Sequence, residues 1–347
     1  PVAGDWDLLA DGRFALLHAV TIQLGLGPTG GAAPDQRAYV MHGYITTVEA
    51  RIGEKRVPDS TLEIHGLDAS CLMHFEERTR VWSDLTDADI VRAIYTEYGF
   101  GADIDPTPTT RSKTRGPFVQ RSTDAELIRL LARRNGFEAY VERTDGPIKA
   151  GAATGTEVVG HFHLPRVGQK AQPELSLLPK ETPSLLDLSA RWESHRPAVV
   201  AGAHIDERTR RIRSTRVTES PYPRMGSTSR ADILKKRFAE VLPNKPTIEA
   251  SFRQSVDVPY EQAEVESLAR HDFGEADWLV EARGTVNAVR YATILRARRP
   301  VSLKGAGRLL DGTWYVRSTQ HRWMRHTETK RYEVDVDLVR NALNGVG

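Results

Sequence analysis

The sequence predicts a mainly β protein with α/β insertions. Short bursts of alternating apolar and polar residues fill positions 14–82, divided by Gly/Pro breaks. Over 84–99 and 122–136 the apolar period lengthens to that of a helix. From 278 to the end, strand patterns return in series.

The first burst holds "FALLHAVTIQL", "YVMHGYITTVEARI" and "STLEIHGLD", with "GLGPTGGAAPDQ" as a break, and this spacing suggests a small barrel or sandwich. In "DLTDADIVRAIYTEYGF", Ile90, Ile94 and Tyr98 recur every four residues, Asp84 or Thr86 can cap, and Gly99 can stop the helix. A Pro/Thr loop over 105–117 leads into "FVQRSTDAELIRLLARRNGFEAYVE", which reads strand, capped helix, glycine stop, strand. Ser122 or Thr123 precedes Asp124 and Glu126; Leu127, Leu130 and Leu131 form the stripe; Arg133 and Arg134 suit the negative end of the dipole. Residues 144–183, rich in Gly, Pro and Ala, predict a hairpin or two and a mobile connection. The stretch 185–220 alternates again and predicts sheet, 221–232 is a turn-rich break, and a helix is expected at about 258–272. The final strands are "WLVEARGTVNAV", "ATILRARRPVSLKG", "GTWYVRSTQHRWM" and "RYEVDVDLV", closing on "LVRNAL", which reads as a short helix.

With 347 residues, the chain is long enough for two or three domains. Lys plus Arg number 48 against 46 Asp plus Glu, so the net charge of +2 gives no global pull toward nucleic acid or anionic membrane. The single cysteine, Cys71, excludes an intramolecular disulfide and fits folding in a reducing cytosol; it reads as a core or interface thiol ahead of a nucleophile. No run reaches about 18 apolar residues and the amino end lacks a signal-peptide layout, so neither a membrane span nor Sec export is expected.

The chemistry-bearing residues are scattered. His161 and His163 share one strand face, but a metal needs three or four ligands and no Cys/His/Asp cluster lies nearby in sequence, so the expected reading is a solvated strand face. His195, His204 and His271 stand beside acids, an adjacency that says little about space. "LKGAGRLLDG" lacks any phosphate-loop pattern and reads as a hairpin turn at Asp311–Gly312. Arg211 and Arg213 alternate with Ile212 in a basic run, so one strand face is cationic. A subunit-facing role is preferred there to nucleic acid, because aromatic interleaving for base stacking is missing. No catalytic, cofactor or metal site is expected, and the chain reads as a non-enzyme.

Three segments together resemble one family. In "TLEIHGLDASCLMHFEERTRVWSDLTDADIVRAIYTEYGF" the spacing of Arg78, Trp82, Thr86, Asp89, Ile90 and Val91 fits. So does the passage from Gln120 through Thr123, Asp124, Ile128, Leu131 and Ala132 to Gly136 and Phe137. The ending fits as well, from the glycine hairpin through Trp314, Tyr315 and Val316 and a His321-centred strand to Tyr332, Leu338, Arg340 and Asn341. This ordered set, over about 60–143 and 258–343, is similar to the late-control gene D proteins of phage tails and the VgrG spike proteins of type VI secretion.

The resemblance implies two related β-barrel (tube-like) domains plus smaller α+β domains: a first barrel at 1–82, an α/β insertion at 83–145, a β-rich middle region at 146–257, and a helix with the second barrel at 258–347. It implies a trimeric baseplate hub that joins a hexameric tail tube to a spike among other baseplate proteins, with nucleic acid only as lumen cargo. Such a hub is made in the bacterial cytoplasm and assembled into a virion tail or phage-tail-like particle. Because the sequence stops at Gly347 without a needle, the spike is expected to be a separate protein. Candidate interface residues are Tyr44, Ile45, Arg211, Arg213, Trp314, Tyr315, Val316, His321 and Trp323. The competing readings are a tail-associated cell-wall hydrolase, a fused VgrG-like spike hub and, more weakly, a nucleic-acid-binding module.

Overall fold

The computed structural model describes residues 11–25, 37–54, 56–108, 110–111, 118–143, 158–177, 182–206, 209–241, 244, 262–325 and 330–345. The chain is mainly β, with helices inserted between strands. It divides into two compact units, residues 1–132 with 138–163 and residues 133–137 with 164–347. Among the described residues, no helix is long and apolar enough to cross a membrane.

The first unit runs β1 (Ala19–Gly25), β2 (Arg37–Gly53), β3 (Arg56–Asp68), β4 (Glu77–Trp82), β5 (Leu85–Thr86), α1 (Asp87–Glu97), β6 (Gly101–Ile104), β7 (Thr110–Arg111), β8 (Phe118–Thr123), α2 (Asp124–Asn135), β9 (Glu138–Arg143) and β10 (Val158–His163). β1, β2 and β3 form one antiparallel meander. β4 pairs with β8, β5 with β7, and β10 lies between parallel β6 and antiparallel β9. At 17 residues, β2 is about three times the usual strand length and spans roughly 56 Å.

Both expected helices form where capping and stripe agree. The Thr86 hydroxyl accepts from the Asp89 amide at 3.1 Å while Asp89 accepts from the Thr86 amide at 3.2 Å. Thr123 and Glu126 build the same reciprocal cap at α2, at 3.3 and 3.1 Å. Gly99 and Gly136 follow the two helices at φ +71° and +69°, where a side chain would be strained. The helices bury Ile90, Ile94 and Tyr95 from one and Leu127 and Leu131 from the other, and Trp82 and Phe162 are also buried in this unit. Cys71 is buried in a short 3₁₀ turn at Ala69–His74, and burial pushes its thiol pKa up, which suits a core thiol and not a nucleophile.

A polar network lies within this apolar unit. Asp124, fully buried, accepts from the Gln120 amide at 2.8 Å and the Tyr98 hydroxyl at 2.9 Å, and it faces the Arg78 guanidinium at 3.2 Å. Gln120 in turn accepts from the Trp82 indole at 3.0 Å. The Gln-to-Asp spacing that carries the family resemblance is therefore a buried hydrogen-bonding device.

The second unit contains β11 (Gln172–Ser176), β12 (Leu185–Trp192), β13 (Val200–Asp206), β14 (Arg211–Val217), β15 (Thr228–Ser229), α3 (Arg230–Val241), α4 (Gln262–Asp277), β16 (Val280–Asn287), α5 (Ala288–Tyr291), β17 (Arg299–Lys304), β18 (Gly312–Arg325), β19 (Lys330–Arg340) and β20 (Ala342–Leu343). Six strands make its main sheet in the order β11-β17-β18-β19-β16-β12. The opposite edges meet at one corner: the Ser176 amide donates to the Ser184 hydroxyl at 3.0 Å and the Ser184 amide to the Ser176 hydroxyl at 3.3 Å. The sheet is thus curled into a half-barrel. Val280, Val286, Val301, Trp314, Val316, Val334, Val336 and Leu338 are buried along its strands.

Two elements differ from the sequence expectation. The closing "LVRNAL" is not helical: β19 continues to Arg340 and β20 pairs with β15. Both β16 and β18 bond to β19, so sheet pairing overrides a spacing that also suits a helix. Conversely, α3 follows the turn-rich break and extends well past it; Leu234, Phe238 and Val241 recur at helical spacing, although Arg230 is its buried residue. α4 starts at Gln262 and runs to Asp277; the expected start near 258 lies outside the described residues, as do 112–117, 144–157 and 178–181 of the expected connections. Two arginines serve the carboxyl end of α4, where carbonyls lack helical partners: Arg230 donates to the Ala276 and Trp278 carbonyls, and Arg196 to Trp278 at 3.2 Å.

Candidate functional site

Assembly surfaces are what the sequence leads one to seek, and the nine expected residues fall into three separate places. Tyr44 and Ile45 lie at the centre of β2. Ile45 is buried, and its backbone amide and carbonyl bond His18 and Leu17 at 3.0 and 2.8 Å. Tyr44 is half-buried, edge-on to His42. Around them the meander leaves Ile22, Ile52, Ile64 and Leu67 exposed.

Trp314, Tyr315 and Val316 lie in the interior of the second unit. Tyr315 stacks on Trp278 at 5.8 Å, which stacks on Tyr222 at 4.9 Å, and Val167, Met225 and Val339 fill the rest of this cluster. Side chains so completely enclosed by their own chain have no area left for a neighbour. Past Val316, β18 leaves β17 and pairs only with β19. Trp323, 53% exposed, lies on this extension beside Met324.

His321, between these regions, is half-buried and bonded on both nitrogens, with Nδ1 at 2.7 Å from the Tyr332 hydroxyl and Nε2 at 3.0 Å from the Leu295 carbonyl. The carbonyl can only accept, so Nε2 carries the proton and Nδ1 accepts from Tyr332. Burial pushes the His321 pKa below its ordinary value, against the pull of the Leu295 carbonyl and aided by Arg296. The unfolded chain therefore binds the proton more readily, and the stabilisation present above about pH 6.5 is lost as pH falls through the folded pKa. Wild-type protein is expected to lose thermal stability over this acid range, and His321→Gln to lose less. Parallel melting curves for the two proteins would contradict the assignment.

Arg211 and Arg213 are exposed on the β13–β14 ribbon, whose base packs on α4 through Val200, Val217, Ala269 and Phe273. Ile205 and Ile212 oppose each other in register and are also exposed. In register, Arg211 stands opposite Asp206 and Arg213 opposite His204.

Three features escaped the sequence reading. Arg340 is fully buried, and its guanidinium donates to the carbonyls of Met225, Leu310 and Asp311 and to the Asn344 side chain at 2.5–3.1 Å. Asn341 accepts from the Met225 amide and donates to the Pro223 carbonyl. The one legible signal was a charged residue followed by an amide inside an apolar alternation. Finally, His161 and His163 do not form a solvated face: His163 is buried, His161 mostly so, and the parallel pairing of β6 with β10 brings Asp103 against both.

The model of the phage tail baseplate hub (GPD) family matches residues 10–327. No curated protein matches in sequence. Among solved structures, a tail protein from Neisseria meningitidis MC58 is similar at 10% identity and a TM-score of 0.58, covering 87% of this chain and 81% of its own. The 43 kDa tail protein of prophage MuSo2 from Shewanella oneidensis is similar at 14% identity and a TM-score of 0.52, covering 94% and 91%.

Proposed function

The chain belongs to the phage tail baseplate hub (GPD) family, and from that membership we propose that it is the structural, non-catalytic hub of a contractile phage tail or phage-tail-like particle. Three copies form a ring in which two tube-like sheets per chain imitate sixfold symmetry. A hexameric tube stacks on one side of the ring and a trimeric spike docks on the other.

The observation that carries this reading is the β1–β2–β3 meander. It has an overlong central strand, two edge strands and exposed apolar side chains at Ile22, Ile52, Ile64 and Leu67. An edge of this kind in a single chain invites pairing with another. The second unit supports the reading with its own long hairpin, β18–β19, which carries exposed Trp323. A three-copy ring uses a heterologous contact, one face of each subunit against a different face of the next. A stable contact of that sort buries more than about 2,000 Å².

Sedimentation and electron microscopy of the purified chain test this. The expected particle is a trimer with a pseudo-sixfold face, and Ile64→Glu combined with Leu67→Glu is expected to yield folded monomer. A chain that stays monomeric both alone and co-expressed with its tube protein overturns the reading.

A further inference from the structure

We propose that Asp103, His161 and His163 form a binding site for one divalent transition-metal ion of the zinc type. This inference is independent of the hub reading and stands on the geometry of one small sheet.

Strand periodicity places His161 and His163 on the same face of β10. The neighbouring strands supply the rest: His161 stands opposite Asp103 on parallel β6 and opposite Tyr140 on antiparallel β9. One carboxylate oxygen of Asp103 meets both rings, 3.1 Å from His161 Nδ1 and 3.7 Å from His163 Nε2. One ligand atom from each of the three residues can be chosen so that all lie within 4.8 Å of one another. A tetrahedral ion bonded at about 2.0–2.1 Å holds its ligand atoms roughly 3.3–3.4 Å apart, so the two measured distances bracket what the ion requires. The imidazoles stand at 86° to each other and converge on the carboxylate without stacking.

The other ring nitrogen of His161 lies on the far side from Asp103. His161 Nε2 is buried and makes no hydrogen bond, which is uncommon for a buried polar atom. The Glu142 carboxylate stands 3.9 Å from it. An ion on Nδ1 fixes the proton on Nε2, where it faces Glu142, the outer carboxylate that histidine ligands commonly have. Tyr140 stacks on His161 at 4.4 Å and fixes the ring plane. Its hydroxyl, 3.4 Å from His163 Nε2, borders the same point.

Two imidazoles and one carboxylate suit zinc and its neighbours better than calcium or magnesium, which prefer all-oxygen shells. Three protein ligands leave at least one position for water. The ion links residues 103 and 161, so it pins parallel β6 to β10 across a long stretch of sequence.

The test uses the full chain, freed of metal by a chelator and then titrated with zinc chloride and, separately, cobalt(II). We expect one equivalent of zinc per chain by calorimetry and elemental analysis, and a melting temperature raised by a few degrees. X-ray absorption of the loaded protein is expected to show two imidazoles in the first shell. Asp103→Asn and His161→Gln are each expected to weaken uptake at least tenfold, while Glu63→Gln, in the exposed trio Glu49, Glu63 and His65 on β2 and β3, leaves it unchanged. An oxygen-only first shell overturns the proposal even if a variant fails to fold. So does uptake below one equivalent, or loss of uptake in Glu63→Gln in place of Asp103→Asn.

Discussion

Arg340→Ala is expected to destabilise the second unit by about 4 kcal/mol, lowering its melting temperature by about 8–16 °C. The guanidinium is fully buried and connects three stretches of chain: Met225, Leu310 with Asp311, and Asn344. It also lies 5.8 Å from the centre of the Trp314 ring. A charge is retained in such a place only when its donors are matched, and here five bonds match them. Truncation removes the donors, leaves a cavity beside Trp314, and strips the Met225 carbonyl of both its bonds from this side chain. Leu310 and Asp311 suffer less, because Trp314 and Asn344 still donate to their carbonyls. Arg340→Lys should recover less than half of the loss, since one ammonium cannot reach all three stretches as a planar fork does. Tryptophan fluorescence during urea unfolding reads the effect, because Trp192, Trp278, Trp314 and Trp323 all lie in this unit. An alanine variant that melts within about 2 °C of wild type would show that these bonds contribute little net stability.

Asp124→Ala is expected to cost the first unit about 3 kcal/mol. The carboxylate lies at the start of α2, where a negative charge is favourable, and it is the common acceptor for Gln120, Tyr98 and Arg78. Its loss leaves the buried Gln120 amide with the Ser122 carbonyl as its remaining acceptor, while Arg78 keeps Glu97 at 2.7 Å. Asp124→Asn preserves shape and one acceptor and should cost less than half as much. A second readout separates this network from general loosening. The Tyr98 hydroxyl is pushed up to about 12, first by burial and then by its bond to Asp124. Ultraviolet titration of the folded alanine variant should therefore find one tyrosine ionising at lower pH than in wild type. An unchanged tyrosine titration would remove Asp124 from the role assigned to it.

Much of the fold was legible where local signals agree. α1 and α2 carry a cap, a stripe and a glycine stop within one short window, so they form as read. The alternation in "RYEVDVDLV" likewise places Val334, Val336 and Leu338 inside, with Asp335 and Asp337 outward against Arg322 and Arg283. α3 was hidden by the turn-rich break that leads into it, although Leu234, Phe238 and Val241 recur at helical spacing. The "LVRNAL" spacing suits either period, and only the strands on both sides of β19 settle it. Of the expected interface residues, Trp314, Tyr315 and Val316 are interior while Trp323 is exposed, because hydrophobicity alone does not distinguish a core from a contact.

What the amino-acid sequence determined by itself was the kind and order of elements: alternation, capping and turn chemistry act within a few residues, and each can be read where it stands. Tertiary structure alone decided which distant residues meet. The parallel pairing of β6 with β10 joined Asp103 to two histidines. Arg340 likewise reached the Met225 carbonyl, 115 residues earlier. The physical reason is that strand partners and buried polar contacts are chosen by the packing of the whole unit, a choice that leaves no periodic trace along the chain.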